Sequence, residues 1–166
     1  MTLSVGTQLR AFHNTGKALG AKAVSSDFAF AIDGFEQYWM LCKQAPWPEL
    51  STAGEIDVPG PLGSASWGQQ QAKINGQGAI SFMETTAGSI DQMLVQLITS
   101  GGFFNAKIYE GTPEKFIRAK RITDCFIQMD SADRDWENRS QILMFSGTLF
   151  YHYFGEVIPG NTADYR

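Results

Sequence analysis

Phe28, Phe30 and Ile32 alternate with Asp27, Ala29, Ala31 and Asp33, the period of two expected of a half-buried strand. Asp33-Gly34 follows at once. Both residues tolerate positive φ, so the pair predicts a type I′ hairpin with the chain returning over Glu36–Lys43. Ahead of it, residues 1–26 show neither a helical nor a strand period, and Gly6, Gly16 and Gly20 interrupt them; they are expected to form an arm. From Gln44 to Ser66 the pattern collapses. Pro46, Pro48, Pro59 and Pro61, with Gly54, Gly60 and Gly63, exclude a central strand or a long helix there. The same stretch carries Trp47, Leu50, Ile56, Val58 and Leu62, a heavy apolar load for a solvated loop, and long loops in compact domains are usually functional. It is expected to have no regular structure of its own and to dock on something.

Trp67 to Glu84 reads as two strands around Asn75-Gly76-Gln77-Gly78. The first, Gln69–Lys73, is polar on both faces and so needs at least one face in water. The second carries Ile80 and Phe82. Ser89–Thr99 is the convincing helix: Ser89 as N-cap, Gln92 completing a capping box, and Asp91 favourable to the dipole. Ile90, Met93, Leu94, Leu97 and Ile98 form its apolar face, and Gly101-Gly102 stop it. Three strands follow, Phe104–Glu110, about Lys115–Met129 and about Gln141–Phe154, the last two joined by a polar turn over Asp130–Asn138. Residues 155–166 read as a tail. The expected fold is mainly β: a single domain, an antiparallel sandwich or barrel over residues 27–154 with one flanking helix and a long loop.

Composition narrows the function classes. At 166 residues the chain is long enough to bury roughly 70% of its unfolded surface in one domain. Thirteen basic against 17 acidic residues leave a net charge of −4, which argues against a general nucleic-acid binder. No run of about 18 apolar residues predicts a membrane-spanning helix, and the N-terminal residues lack the apolar run of a signal peptide. Cys42 and Cys125 each sit in an apolar stretch and read as reduced core thiols of a protein made in the cytosol.

Candidate chemistry is sparse. Cys125 and His152 fall on neighbouring strands, but no third group marks a nucleophilic triad. The acidic turn from Asp130 to Asp135 lacks the sixth-position Gly and twelfth-position Glu of a calcium loop. Lys115, Arg118, Lys120 and Arg121 make a basic strand whose expected use is ion pairing between subunits or protection of an exposed edge. No catalytic residue, metal site or cofactor is expected. What remains is a surplus apolar loop and a wetted strand, the ingredients of self-assembly around an aqueous space.

The order Phe28-x-Phe30-x-Ile32, Trp39-x-x-Cys42, Pro46, Pro48, then the long loop, the helix after Thr85-Thr86, and Arg121-Ile122-Thr123-Asp124-Cys125-Phe126 with Gly147-Thr148-Leu149-Phe150-Tyr151 resembles the tail tube proteins of contractile-tailed bacteriophages. The likeness covers roughly residues 26–154 and extends to the tube protein of type VI secretion. It implies a structural virion protein, assembled in the host cytoplasm, whose hexameric rings stack into the tail tube. It implies as partners further copies of itself, the tail sheath protein, a baseplate tube initiator and a tail terminator, with genomic DNA passing through the lumen without specific binding. Carried onto this sequence, it assigns Pro46, Trp47, Pro48, Leu50, Ile56, Val58 and Leu62 to an inter-subunit loop. It offers Asp27, Gln69, Gln71 and Lys73 as polar, lumen-facing positions of an inner sheet.

Overall fold

The computed structural model describes residues 5–165. The alternation at residues 28–32 does form a strand, β1 (Phe28–Ile32), whose alternating Phe and Ile side chains enter the core. Its partner is not the next segment. After Gly34, at φ +90°, the chain turns into a 3₁₀ helix, Glu36–Leu41, so the expected Asp33-Gly34 hairpin is not made. Instead β1 pairs antiparallel with a distant strand, Phe28 opposite Glu110 and Ile32 opposite Ala106. The short β2 (Cys42–Gln44) likewise joins a strand far along the sequence, placing Cys42 opposite Phe82.

The long segment that follows is not irregular. β3 (Ser51–Thr52) pairs with β6 (Ala72–Lys73), and β4 (Glu55–Pro59) pairs with β5 (Ala65–Gln69) around a 3₁₀ turn at Pro61–Gly63. These two ladders form a hairpin arm outside the main sheet. The prolines act as read: Pro59 ends β4 and Pro61 opens the turn, so neither interrupts a central ladder. β7 (Asn75–Met83) then runs unbroken through Asn75-Gly76-Gln77-Gly78, which had the look of a turn. Its glycines answer to packing: a Cβ on Gly76 would lie 2.7 Å from Tyr151 Cζ, and one on Gly78 would overlap Pro46.

β8 (Phe104–Gly111), β9 (Phe116–Met129) and β10 (Met144–His152) follow closely where the alternation puts them. The seven-stranded antiparallel sheet has the order β1-β8-β9-β10-β7-β2, with β11 (Val157–Pro159) added against β9. The tail is therefore stitched into the fold rather than loose. β9 serves both halves: Phe116–Cys125 pairs with β8, and Thr123–Met129 with β10. At the changeover Asp124 adopts φ +46°, and the register of both neighbours slips there. A bulge of this kind bends a strand out of one sheet and into another. The halves then face each other, and Phe30 of β1 meets Phe82 of β7 at 6.4 Å between ring centroids.

The helix over residues 89–99 is α2 (Ser89–Thr99), and it closes the core with Ile90, Met93 and Leu97. Ile98, expected on the buried face, is exposed. The cap also differs. Gly88 occupies the N-cap in the left-handed region, and the orphan amides are taken from upstream. The Glu84 carboxylate accepts from the N–H groups of Ile90 at 3.0 Å and Asp91 at 2.9 Å, and Thr85 Oγ1 accepts from Ser89 at 3.3 Å. Burial disfavours the Glu84 charge, but the amides of Ile90, Thr85 and Asp91 outweigh it and hold the carboxyl below its ordinary value. The expected arm over residues 1–26, whose first four residues lie outside those described, contains a helix, α1 (Gly6–Ala18), with no buried residue. A helix that buries nothing has no contact to declare itself by, and its glycines hid it.

Candidate functional site

The proposed loop residues divide into a buried root and an exposed arm. At the root, Pro48 is fully buried, Trp47 is half-buried, and Pro46 seats against Gly78. These three are spent inside the chain, which corrects the expectation that all seven residues face a neighbour. Lys120 on β9, only 5% exposed, holds Trp47 and Pro48. Its Nζ donates to the Pro48 carbonyl at 2.6 Å and pairs with Glu49 Oε1 at 2.9 Å. It also lies over the rings of Trp47 at 4.8 Å and Tyr153 at 5.4 Å. A buried ammonium stays tolerable only when hydrogen-bonded and electrostatically matched, and here a carbonyl, a carboxylate and two ring faces supply that.

The other basic residues of β9 are also engaged within the chain. Arg118 Nε meets Glu110 Oε2 at 2.6 Å, and Arg121 lies 3.7 Å from Asp33. β9 is interior to the sheet, so the basic strand is neither a protected edge nor a free inter-subunit cluster. The alternation nonetheless holds: Arg118 and Lys120 share the face that covers Trp47.

Beyond the root, Leu50, Ile56 and Val58 are about half exposed, and Leu62 is fully exposed at the arm's tip. Leu62 sits at φ +58°, a left-handed conformation that costs energy for any residue carrying a Cβ. Trp67, which sequence reasoning left out of the arm, is 77% exposed on β5. By strand alternation Ile56 and Val58 occupy one face of the ribbon. Glu55 and Asp57, with their cross-strand partners Gln69 and Trp67, occupy the other.

The expected lumen positions do not share a sheet face. Gln69 ends β5, Gln71 lies between β5 and β6 with its carbonyl accepting from Ala53 at 2.8 Å, and Lys73 lies opposite Ser51. All three belong to the arm and none to the seven-stranded sheet, so the wetted inner strand they were read as does not exist. A polar run is wet on both faces here because it is part of a projecting ribbon. Asp27 sits at the entry to β1 and accepts from the Tyr165 hydroxyl at 2.6 Å.

Cys42 and Cys125 are buried, and burial pushes each thiol up to about 12. A thiol held that high is protonated at neutral pH and a poor nucleophile. The His152 backbone, not its imidazole, meets the Cys125 thiol; the ring's Nδ1 lies 3.2 Å from the Asp124 carbonyl. An open groove of about 650 Å³ runs beside the arm's root, lined among others by Val24, Phe28, Ala45, Trp47 and Arg118. Its charged walls include the Arg118–Glu110 pair already described. Among the described residues no helix is long and apolar enough to cross a membrane.

No family model matches the chain, and no curated protein matches it. Solved structures do. A chain of the PVC sheath-tube complex of an extracellular contractile injection system, in the extended state, aligns with a TM-score of 0.56 at 12% identity, covering 87% of this chain and 95% of that one. A chain of the sheath/tube terminator of such a system aligns at 0.58 and 13%, covering 84% and 97%. A chain of the anti-feeding prophage tube terminating cap aligns at 0.56 and 12%, covering 84% and 91%. Identity at this level speaks for the fold alone. That fold, as the sequence resemblance implies, is the one found in components of contractile tail-like injection systems.

Proposed function

We infer that this chain is a structural subunit of the inner tube of a contractile tail, building hexameric rings that stack into a conduit for DNA. The observation that carries the reading is the hairpin arm, residues 51–73, which projects Ile56, Val58, Leu62 and Trp67 from a sheet of tube-component fold. A rigid root and an exposed apolar ribbon suit an element that grips a neighbouring subunit. The edge strands β1 and β2 supply a second joint, because closing a sheet through neighbouring copies removes free edges that would otherwise template aggregation. A net charge of −4 suits a channel through which phosphates slide without ion pairing. Sheath, baseplate initiator and terminator are the partners such a tube requires, and the reading assigns the chain no catalysis.

Negative-stain electron microscopy of the purified protein, with and without a Gly-Ser link replacing Glu55–Gln69, tests it. Gly54 and Gln70 are already joined by a backbone hydrogen bond of 3.0 Å, so the shortened arm can close. Tubes from the wild type and folded, non-elongating subunits from the variant support the reading; monodisperse wild-type monomers at every concentration refute it. The likeness to terminator and baseplate components favours one second reading, a ring that starts or caps the tube. Wild-type protein that stops at single rings would select it.

A further inference from the structure

α1 and the hairpin arm have complementary defects. The helix is 13 residues long, buries nothing and has no acidic residue in its first turn. Its apolar positions nevertheless fall in one line. Val5, Leu9, Phe12 and Leu19 recur at helical spacing with Gly16 between them, and all four side chains are exposed. Arg10 and Lys17 lie together roughly 120–140° round the helix from the centre of that line, so only their long side chains reach back toward it, and no Asp or Glu occurs anywhere in residues 5–24. An isolated helix of this length is marginal in water unless its apolar stripe is covered.

The β4–β5 ribbon has the same need and the opposite charge. It is a two-stranded sheet with nothing packed on it, and such a hairpin is marginally stable at best. One face presents Trp67 as its large apolar group, beside Glu55 and Asp57 and with no basic residue. Arg10 and Lys17 stand about 10 Å apart along the helix axis, and Glu55 and Asp57 about 7 Å apart along the strand, within the reach of long basic side chains.

We propose that α1 of one copy packs across the Trp67 face of the β4–β5 hairpin of a neighbouring copy. Leu9 and Phe12 lie on the indole, and Arg10 and Lys17 reach Glu55 and Asp57. In the single chain both faces are open to solvent, so the contact belongs to the assembled state. The proposal rests on the self-assembly reading and names the two surfaces that meet in it.

The test uses two full-length, differently tagged chains, one His13→Cys and one Gln69→Cys, the first between the apolar line and the basic pair of α1 and the second opposite Glu55 on the ribbon. The native thiols are buried and do not compete. Mixed under assembly conditions and oxidised, they form a disulfide-linked heterodimer. Arg10→Glu with Lys17→Glu lowers its yield about tenfold, the combined weight of two surface ion pairs, and adding Glu55→Lys with Asp57→Lys on the partner restores it. Tubes that assemble normally without the heterodimer overturn the docking while leaving the tube reading intact. Wild-type protein that never assembles overturns both. An intrachain disulfide in a doubly substituted chain, with no heterodimer, overturns it in favour of a contact within one subunit. Cosedimentation of the full chain with phosphatidylserine vesicles, lost on Arg10→Glu with Lys17→Glu and unaccompanied by the heterodimer, assigns α1 to a membrane surface instead.

Discussion

Replacing Lys120 tests whether the arm's root is held by its ammonium or merely decorated by it. Two partners compete for credit. Glu49 is the formal ion-pair partner at 2.9 Å, but its side chain is 70% exposed, and a pair with one end in water is worth at most about 1 kcal/mol. The Pro48 carbonyl is the partner that water cannot replace, because Pro48 is fully buried and Lys120 nearly so. Lys120→Met keeps most of the stem and orphans that carbonyl, a loss of about 1–3 kcal/mol. The desolvation cost relieved by removing the ammonium is offset by the two ring contacts that go with it. At this chain length 1 kcal/mol moves Tm by roughly 2–4 °C, so a central loss of about 2 kcal/mol predicts a fall of about 4–8 °C. Glu49→Ala is expected to shift it by at most about half as much, roughly 2–4 °C. Thermal unfolding followed by tryptophan fluorescence reads both variants, since Trp47 lies under the ammonium. Equal effects from Lys120→Met and Glu49→Ala, or a Lys120→Met midpoint unchanged from wild type, would refute the reasoning.

Glu84→Ala removes the cap of α2 and is expected to cost about 1–2 kcal/mol. Because the folded-state pKa of Glu84 lies below its ordinary value of 4.5, its contribution is present above that pH and is lost as pH falls through the lower folded value. The stability difference between wild type and Glu84→Gln should therefore shrink as pH falls below 4.5, and a difference that grows in acid would contradict this. Asp124→Gly should be neutral or mildly stabilising, whereas Asp124→Val should destabilise by about 1–3 kcal/mol because a β-branched residue resists positive φ; thermal denaturation checks the sign of each. Cys42 and Cys125, buried and raised to about 12, should resist a thiol-specific reagent at pH 8 until the protein unfolds, and rapid native-state modification would count against both placements.

What the sequence disclosed depended on how local each signal was. Strands β8, β9 and β10 carry their own alternation, and α2 its own stripe, so residue pattern alone located them. The pairing of β1 with β8 is set by the facing Phe30 and Ile32 in the core, a contact far along the chain that a nearby Asp-Gly could only obscure. Asn75-Gly76 carries the chemistry of a turn, yet those glycines thin the strand for Tyr151 and Pro46. The arm's ladder was hidden because neither of its faces is covered, so no alternation of buried and exposed residues marks it. Of the loop residues chosen from sequence, Leu50, Ile56, Val58 and Leu62 are outward, while Trp47 and Pro48 are engaged by Lys120 and Pro46 by Gly78. No pattern in the chain announces that a lysine beside Ala119 will be buried. Trp67 was passed over because it opened what read as the next strand.

The hydrogen bond from Tyr165 to Asp27 has a mechanical meaning. Asp27 stands where α1's tether enters β1, its carbonyl accepts from Gly111 at 3.1 Å, and the tail that carries Tyr165 is laced to β9 through β11. A pull on α1 along the axis of β1 therefore strains the pairs from Phe28–Glu110 to Ile32–Ala106 together, in shear, instead of peeling them apart one by one. Any tension arriving through the N-terminal helix is thereby shared with the middle of the sheet.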